Sequence, residues 1–347
     1  MQRRVLGLDV GGANLKAAHT DGAARSRPFA LWKDPGGLAA ALRGLIAEMP
    51  TADLLAVTMT GELCDCFESK RQGVAAILDA VEEAAGRTPV RVFGNEGRFV
   101  DPAGARMEPL KAAAANWLAL ALFAGRFVPD GPAVLIDVGS TTTDIVPLED
   151  GRPVPQGTTD PQRLACGELV YTGVRRTPVC AVLDRGPEGV GLAAELFATT
   201  LDAYLILGMI AEDAADRNTA DGRPATFAAA HARMARMMCA DLETSTEEQR
   251  RRLADAVLKA QSSKIDWALT LALREFPPPH TALLTGEGAF LARRVLARVE
   301  WGRRCKDVDL ERGLGREISK AACAFAAAVL ASERPEVPFR DAITCRR

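Results

Sequence analysis

The chain has 347 residues, of which 48% are hydrophobic and 25% are charged, which predicts a globular protein of one large or two medium domains. The formal net charge of -2 argues against a broad basic face for nucleic acid. The longest apolar stretch, residues 112–128, contains Asn116 and Arg126 and is too short to predict a membrane span. We therefore expect neither nucleic acid nor a membrane as a partner.

Eight cysteines are scattered along the chain without a C-x-x-C pair. Cys64 and Cys66 form a C-x-C, whose alternatives are a metal site and simple packing of the loop. The first apolar run reaches Asp9 too early for a secretory signal. Reduced thiols and no leader are typical of a cytoplasmic protein, and a homodimer is compatible with the sequence.

The first half of the chain predicts alternating strands and helices. Residues 5–10 read as a buried strand that ends in Asp-x-Gly-Gly, and residues 15–19 as its return strand. The next elements are a helix at 38–48, a strand at 54–59, a helix at 72–85, a strand at 90–93 and a long helix at 109–124. Strands that precede helices in this way indicate an α/β fold.

The opening pattern returns about 130 residues later, as expected for an internal repeat. Residues 133–138 and 143–148 predict a second strand–turn–strand unit, and Asp150-Gly151 predicts a type I′ turn. The remainder predicts helices at 193–214, 225–242, 246–273 and 311–331, and a strand at 281–284.

This repeat predicts two similar lobes around a ligand cleft. We assign residues 1–128 to an N-terminal lobe and residues 129–347 to a C-terminal lobe. The second lobe carries a helical insertion at about 190–275. The closing helix at 311–331 is free to pack back on the first lobe.

The first turn combines residues suited to a phosphate and its metal ion. Gly11 and Gly12 let the backbone approach an anion, and their amides can form a nest. Asn14 adds a donor and Lys16 a positive charge, while Asp9 at the strand end can reach Mg²⁺. The alternative is an ordinary glycine hairpin with a surface aspartate.

The second turn repeats this plan between two acids, Asp137 and Asp144. The residues between them are candidates for phosphate binding, namely Gly139, Ser140, Thr141, Thr142 and Thr143. Together with Asp9, the two acids are candidate Mg²⁺ ligands, since Mg²⁺ prefers one or two carboxylates and phosphate oxygens. A threonine-rich hairpin with solvated acids is the alternative.

A third Gly-rich segment follows the strand at 281–284 and begins a helix. Gly286, Glu287 and Gly288 are candidates for lying against a nucleotide or an anion. Many strand–helix turns contain glycine, so this segment alone has little specificity.

In this order, the three segments resemble the phosphate-1, phosphate-2 and adenosine motifs of the superfamily of actin, sugar kinases and heat-shock-chaperone ATPases. The resemblance implies two ribonuclease-H-like lobes with the ligand between them. Asp9, Asp137 and Asp144 match the superfamily's metal and catalytic acids. The resemblance admits ATP as a ligand, although the weak third motif does not favour it.

A closer resemblance covers nearly the whole chain and is to the hydantoinase/oxoprolinase family, in its branch linked to tetrahydromethanopterin-dependent one-carbon metabolism. It is carried by residues 9–16, 59–67, 116–117, 137–144, 167–178 and 220–226, of which 167–178 is the most specific. Archaeal members of this branch assemble methanofuran by joining an aminomethylfuran-methyl diphosphate to a phenol, with release of diphosphate. The resemblance implies a similar transferase here, with a tyramine- or tyrosine-type acceptor.

That reaction gives the charged residues roles. Lys16, Arg175 and Arg176 are candidate cations for the departing diphosphate, with a solvated basic pair as the alternative for the two arginines. The acceptor phenol has a pKa near 10 and must lose its proton. Glu62 and Asp144 are the candidate bases. Glu168 is a weaker one.

Two other functions stay open at this point. The wider superfamily suggests an ATP-dependent kinase or amide hydrolase. Two lobes that close on a phosphorylated ligand would also serve a non-catalytic sensor.

Overall fold

The first half of the chain forms a six-stranded sheet. A computed structural model describes residues 3–333, so residues 334–347 of the expected C-terminal lobe lie outside the described residues. The strands are β1 Val5–Val10, β2 Asn14–His19, β3 Ala24–Pro28, β4 Leu54–Met59, β5 Val90–Phe93 and β6 Phe99–Val100, in the order β3-β2-β1-β4-β5-β6. β2 is antiparallel to β1 and β3, whereas β4 and β5 run parallel to β1.

The second sheet repeats this topology. Its strands are β7 Pro132–Val138, β8 Thr143–Glu149, β9 Arg152–Pro153, β10 Leu169–Val170, β11 Thr281–Thr285 and β12 Lys306–Asp309. The order is β10-β8-β7-β11-β12, with β9 paired to β8. β7 and β8 are antiparallel, and β11 and β12 continue parallel to β7. The protein therefore has two ribonuclease-H-like lobes, as expected, and the fold is that of actin-like ATPases.

Helices cover both sheets. The first half contains α1 Leu38–Ala47, α2 Lys70–Ala85, α3 Pro102–Met107, α4 Pro109–Ala112 and α5 Asn116–Ala124. The second half contains α6 Asp160–Cys166, α7 Val179–Val182, α8 Thr200–Ile206, α9 Phe227–Met237, α10 Glu247–Ala272, α11 Ala289–Leu296, α12 Leu310–Leu314, α13 Arg316–Lys320 and α14 Ala322–Glu333. Within residues 3–333, none of the helices combines the length and the apolar character that crossing a bilayer requires.

The last helix, α14, returns to the first sheet. Its alanines are buried with apolar residues of β1 and β4, in a cluster of Val5, Leu54, Ala56, Ala327, Ala328 and Ala331. Gly7 permits this close approach, since a Cβ on it would lie 1.8 Å from the carbonyl oxygen of Ala324. The small side chains thus bring α14 directly onto the strand that carries Asp9.

Four predicted helices are shorter or interrupted, and the one predicted at 225–242 is limited to Phe227–Met237. The segment 109–124 divides into α4 and α5 because Ala114 adopts a positive φ of 47°. The closing helix is interrupted twice, at Gly315, whose φ is 85°, and at Ala321, which separates α13 from α14. Residues 193–214 form only α8, which begins at a capping box of Thr199 and Asp202. The predicted type I′ turn is confirmed, with positive φ at both Asp150 and Gly151.

Candidate active site

Both turns open on a common cleft of about 470 Å³ between the lobes. The size suits a small molecule. The first lobe contributes Asp9, Gly11, Gly12, Ala13, Asn14, Lys16, Trp32, Thr60, Glu62, Leu63, Cys64, Asp65, Ala114, Asn116 and Trp117 to the lining. The second contributes Asp137, Gly139, Ser140, Thr141, Thr142, Asp144, Asp160, Arg163, Leu169, Tyr171 and Arg176, and α14 contributes Cys323.

The first turn presents backbone amides to this cleft. The amide of Gly11 donates to Asn14 O at 3.1 Å and closes the hairpin. Within residues 3–333, the amides of Gly12 and Ala13 donate to no protein acceptor. A Cβ on Gly12 would lie 2.7 Å from Cys64 Sγ, so a larger residue here would require the Cys64 side chain to move. These two amides can therefore bind an anion.

The second turn has the same hydrogen bond, from the amide of Gly139 to Thr142 O at 2.9 Å. The amides of Ser140 and Thr141 have no acceptor in the described part of the chain. Thr143 is a different case, because its hydroxyl is buried and donates to Thr172 O at 2.9 Å. Thr143 therefore anchors a neighbouring loop, contrary to the expectation that it faces a phosphate.

That loop, residues 172–177, packs against the second turn and donates hydrogen bonds to it. The amide of Val174 donates to Gly139 O, and the amide of Arg176 donates to Ser140 O, both at 3.0 Å. A Cβ on Gly173 would lie 2.5 Å from backbone atoms of the turn. The segment that carries the most specific family resemblance thus positions the turn.

The three acids of the turns, Asp9, Asp137 and Asp144, line the cleft together with Lys16. Burial raises the pKa of Asp137 to about 7, with a further contribution from Asp144. Burial also raises the pKa of Asp9 and of Asp144, against the effects of Lys16 and Arg163 respectively. For Lys16, burial lowers the pKa, but the carboxylates of Asp9 and Asp137 outweigh it, so the pKa is raised.

Glu62 also lines the cleft and is 1% exposed. Burial raises its pKa to about 7, while Lys70, with Nζ 3.9 Å from Glu62 Oε1, lowers it. Its Oε2 has no hydrogen-bond partner among residues 3–333. A buried carboxyl with a pKa near neutrality can accept a proton from a substrate.

The predicted cations differ in placement. Lys16 and Arg176 line the cleft, and the guanidinium of Arg176 lies 4.5 Å from the ring centroid of Trp32. Arg175 does not line it, because its side chain pairs with Asp216 at 2.8 Å and Glu287 at 2.6 Å.

Sequence reasoning missed Arg163. Its side chain is 1% exposed, pairs with Asp144 at 2.7 Å and lies 4.0 Å from the ring centroid of Trp117. The signal for its helix was present, since Thr159 and Gln162 form a capping box at the start of α6.

The third Gly-rich segment does not reach the cleft lining. The amide of Gly288 donates to Val138 O at 2.9 Å, and a Cβ on Gly286 would lie 2.3 Å from the same oxygen. Glu287 pairs with Arg175. These residues pack the end of β7, so the structure gives their glycines a role without a nucleotide. Glu168 is likewise structural and accepts the amides of Gln156 and Gly157.

The acids fit a metal ion that is shared with a phosphate. Within residues 3–333, no three His, Cys, Asp or Glu side chains are arranged as a metal cluster by themselves. Asp9, Asp137 and Asp144 nevertheless line one cleft, and Asp9 Oδ1 has no hydrogen-bond partner in that part of the chain. Mg²⁺ usually takes one or two carboxylates together with substrate phosphates and water, which this donor set would satisfy.

Comparison with known proteins places the chain in a family. The hydantoinase/oxoprolinase family model matches residues 53–331. A (4-{4-[2-(gamma-L-glutamylamino)ethyl]phenoxymethyl}furan-2-yl)methanamine synthase from Methanocaldococcus jannaschii is 33% identical over 95% of this chain and 98% of its own. A protein of the same name from Methanococcus vannielii is 26% identical over 58% of this chain and 91% of its own.

Among solved structures, nucleotide-free acetone carboxylase matches with a TM-score of 0.52 and 11% identity, over 94% of this chain and 70% of that one. This likeness concerns the fold alone.

Because the family model matches residues 53–331, the chain belongs to the hydantoinase/oxoprolinase family.

Proposed function

We propose that this member of the hydantoinase/oxoprolinase family is a transferase that joins a furfuryl group to a phenol. The donor would be an aminomethylfuran-methyl diphosphate and the acceptor a tyramine- or tyrosine-type phenol. Two relatives are named as synthases of a phenoxymethyl-furan methanamine, and one of them matches almost the whole chain. The observation that carries the proposal is the single cleft that both turns share with Glu62.

The leaving group requires stabilisation of negative charge. The bond from the furan methylene carbon to the diphosphate oxygen breaks, and its electron pair leaves with diphosphate. The amides of Gly12, Ala13, Ser140 and Thr141, which donate to no acceptor within residues 3–333, would bind the departing anion together with Lys16 and Arg176. Asp9, Asp137 and Asp144 would hold Mg²⁺, which neutralises charge on the diphosphate when it is bound.

The phenol oxygen then bonds to the methylene carbon and loses its proton. Glu62 is the base that we assign, because its pKa of about 7 suits proton transfer and its Oε2 has no hydrogen-bond partner in the described part of the chain. Asp144 is less suited, since its carboxylate is already paired with Arg163. The products are therefore the ether, diphosphate and protonated Glu62.

An ATP-dependent kinase or amide hydrolase is less well supported. The residues that resemble an adenosine motif pack the end of β7 and do not line the cleft. The proposed reaction uses phosphate-binding turns without an adenine pocket.

The test is an assay with purified protein, Mg²⁺, the furan diphosphate and each of tyramine, γ-glutamyltyramine and tyrosine. We expect diphosphate release that depends on the acceptor, and an ether product of matching mass. Thermal shift with ATP and with diphosphate provides the second measurement. A strong response to ATP, no response to diphosphate and no ether would refute the proposal in favour of a nucleotide-dependent function.

A further inference from the structure

Helix α6 makes a set of contacts across the cleft that the proposed chemistry does not use. Asp160 at its start pairs with Lys70 Nζ at 2.7 Å, and Lys70 begins α2 in the other lobe. One turn later, Arg163 contacts Asp144 and the ring of Trp117. Residues three positions apart share one helix face. This face therefore joins the Glu62 side of the cleft to the Asp144 side.

The position of Lys70 is electrostatically costly for its own helix. The first turn of a helix favours acids, because the helix dipole places partial positive charge there. Asp160 follows that preference at the start of α6, whereas Lys70 at the start of α2 opposes it. Contacts outside α2 offset this cost, since Lys70 Nζ lies 2.7 Å from Asp160 and 3.9 Å from Glu62, and the contact with Asp160 is the shorter one.

Lys70 is also held in a fixed relation to Glu62. A Cβ on Gly73 of α2 would lie 2.2 Å from Glu62 O, so the helix packs directly on the loop that carries this acid. A second hydrogen bond joins the two lobes next to α6, since Asn95 Nδ2 of the first lobe donates to Thr158 O of the second at 3.4 Å.

We propose that Lys70 and Asp160 form an interlobe clasp that keeps the lobes closed over the cleft and Glu62 in position to act on the acceptor. Lys70 is a positioning residue, because it acts through Glu62 and the approach of the two lobes. The catalytic part of this inference rests on the proposed function. The closure part concerns the protein alone.

Closure is tested without substrate by alkylation of Cys323. This thiol lies at the cleft floor and is 6% exposed, whereas Cys239 is exposed and serves as an internal reference. If the clasp limits opening, Lys70→Met and Asp160→Asn should each raise the iodoacetamide rate at Cys323 at least about threefold, measured by peptide mass spectrometry. Lys259→Met is the matched control, because Lys259 pairs with Asp255 at 2.6 Å within α10.

Positioning is tested by the pH profile of kcat/KM. The charges that act on Glu62 are Lys70, which lowers its pKa, and Asp160 and Asp9, which raise it. Loss of the lysine charge should therefore move the acidic limb of the profile to higher pH and lower kcat/KM near neutrality at least about fivefold. Lys70→Arg should restore both, since it retains the charge and the reach to Asp160.

The outcomes separate the two proposals. Faster alkylation of Cys323 in the variants of a protein without transferase activity would support the clasp and contradict the function. Unchanged alkylation and an unchanged pH profile in both variants of an active protein would overturn the clasp. The side chains of Lys70 and Asp160 are only 23% and 21% exposed, so each variant needs a check that it is folded. A melting temperature close to that of the parent protein provides this check.

Discussion

The two hairpins that face the cleft share a backbone plan and differ in the charges at matching positions. In the first hairpin Asp9 lies opposite Lys16, whereas in the second Asp137 lies opposite Asp144. The opposite charges of the first hairpin therefore compensate each other. The second hairpin requires a cation from elsewhere, and Arg163 of α6 provides it to Asp144.

The difference suggests a division of labour in the cleft. A lysine beside amides that donate to no acceptor within residues 3–333 suits direct contact with a phosphate oxygen, whereas two neighbouring carboxylates suit a divalent cation. We therefore expect the first hairpin to contact the leaving group and the second to hold most of the metal. The backbone plan supplies two anion sites, and the strand charges give them different partners.

The largest expected effect comes from removing the cation of the second hairpin. Arg163→Met leaves the Asp144 carboxylate without its partner at 2.7 Å. It also removes a hydrogen bond to Glu168 O and the contact with Trp117. Loss of one member of a buried pair should lower the free energy of unfolding by about 3 kcal/mol. Urea denaturation measures this change.

Arg304→Met is the control for this variant. Arg304 pairs with Glu300 at 3.2 Å in the exposed turn segment between α11 and β12, and its removal should cost less than about 1 kcal/mol. Equal losses in the two variants would show that the second hairpin does not depend on Arg163.

The contrast between the hairpins also shows what the sequence reveals. The strand–turn–strand repeat predicted both lobes, because alternating apolar strands and Gly-rich turns are local signals. It also predicted that Asp9 and Asp144 approach one cleft. The placement of Arg163 could not be predicted, since its pairing with Asp144 of β8 depends on the tertiary position of α6. Arg175 was predicted as a cation for the leaving group but does not line the cleft, because it pairs with Asp216 and Glu287, which are distant in the sequence.

The helix interruption at Ala114 was also not predicted from the sequence. Ala114 has high helix propensity, yet it adopts a positive φ and lines the cleft. Tertiary packing overrides propensity here, and the interruption lets α5 begin at Asn116, which lines the same cleft.

The next largest effect distinguishes the hairpins in catalysis. Lys16→Ala and Asp144→Asn should each lower diphosphate release at least about tenfold, which corresponds to about 1.4 kcal/mol. If the division of labour is correct, Asp144→Asn raises the Mg²⁺ concentration for half-maximal rate and Lys16→Ala does not. Initial rates over a Mg²⁺ series provide the measurement. Full activity in both variants, or the same Mg²⁺ dependence, would contradict the site assignment.

The charge of Asp137 should make stability depend on pH. Its pKa is about 7 in the folded protein, against an ordinary value of 3.8. Between these values the folded state retains a proton that the unfolded chain has released, so stability falls as the pH rises and levels off above about 7. Asp137→Asn should reduce this loss by at least about 1 kcal/mol, measured by urea denaturation in metal-free buffer at about pH 5 and about pH 8.

A part of the pH dependence should remain in that variant, because Glu62 also has a pKa of about 7. Asp255→Asn is the control, because Asp255 lies on α10 and does not line the cleft, and this variant should keep the slope of the parent protein. An identical slope in the parent protein and in Asp137→Asn would mean that Asp137 is ionised in the folded state well below pH 7.

The smallest expected effect compares the matching glycines of the two turns. A Cβ on Gly11 would lie 2.9 Å from Asn14 O, whereas a Cβ on Gly139 would lie 3.4 Å from Thr142 O. The first distance forces the backbone of the turn to move, and the second is close to ordinary contact. Gly11→Ala should therefore destabilise the protein by about 1 kcal/mol, while Gly139→Ala stays within about 0.5 kcal/mol of the parent protein. Urea midpoints decide this, and equal losses would show that the two turns are as closely packed as each other.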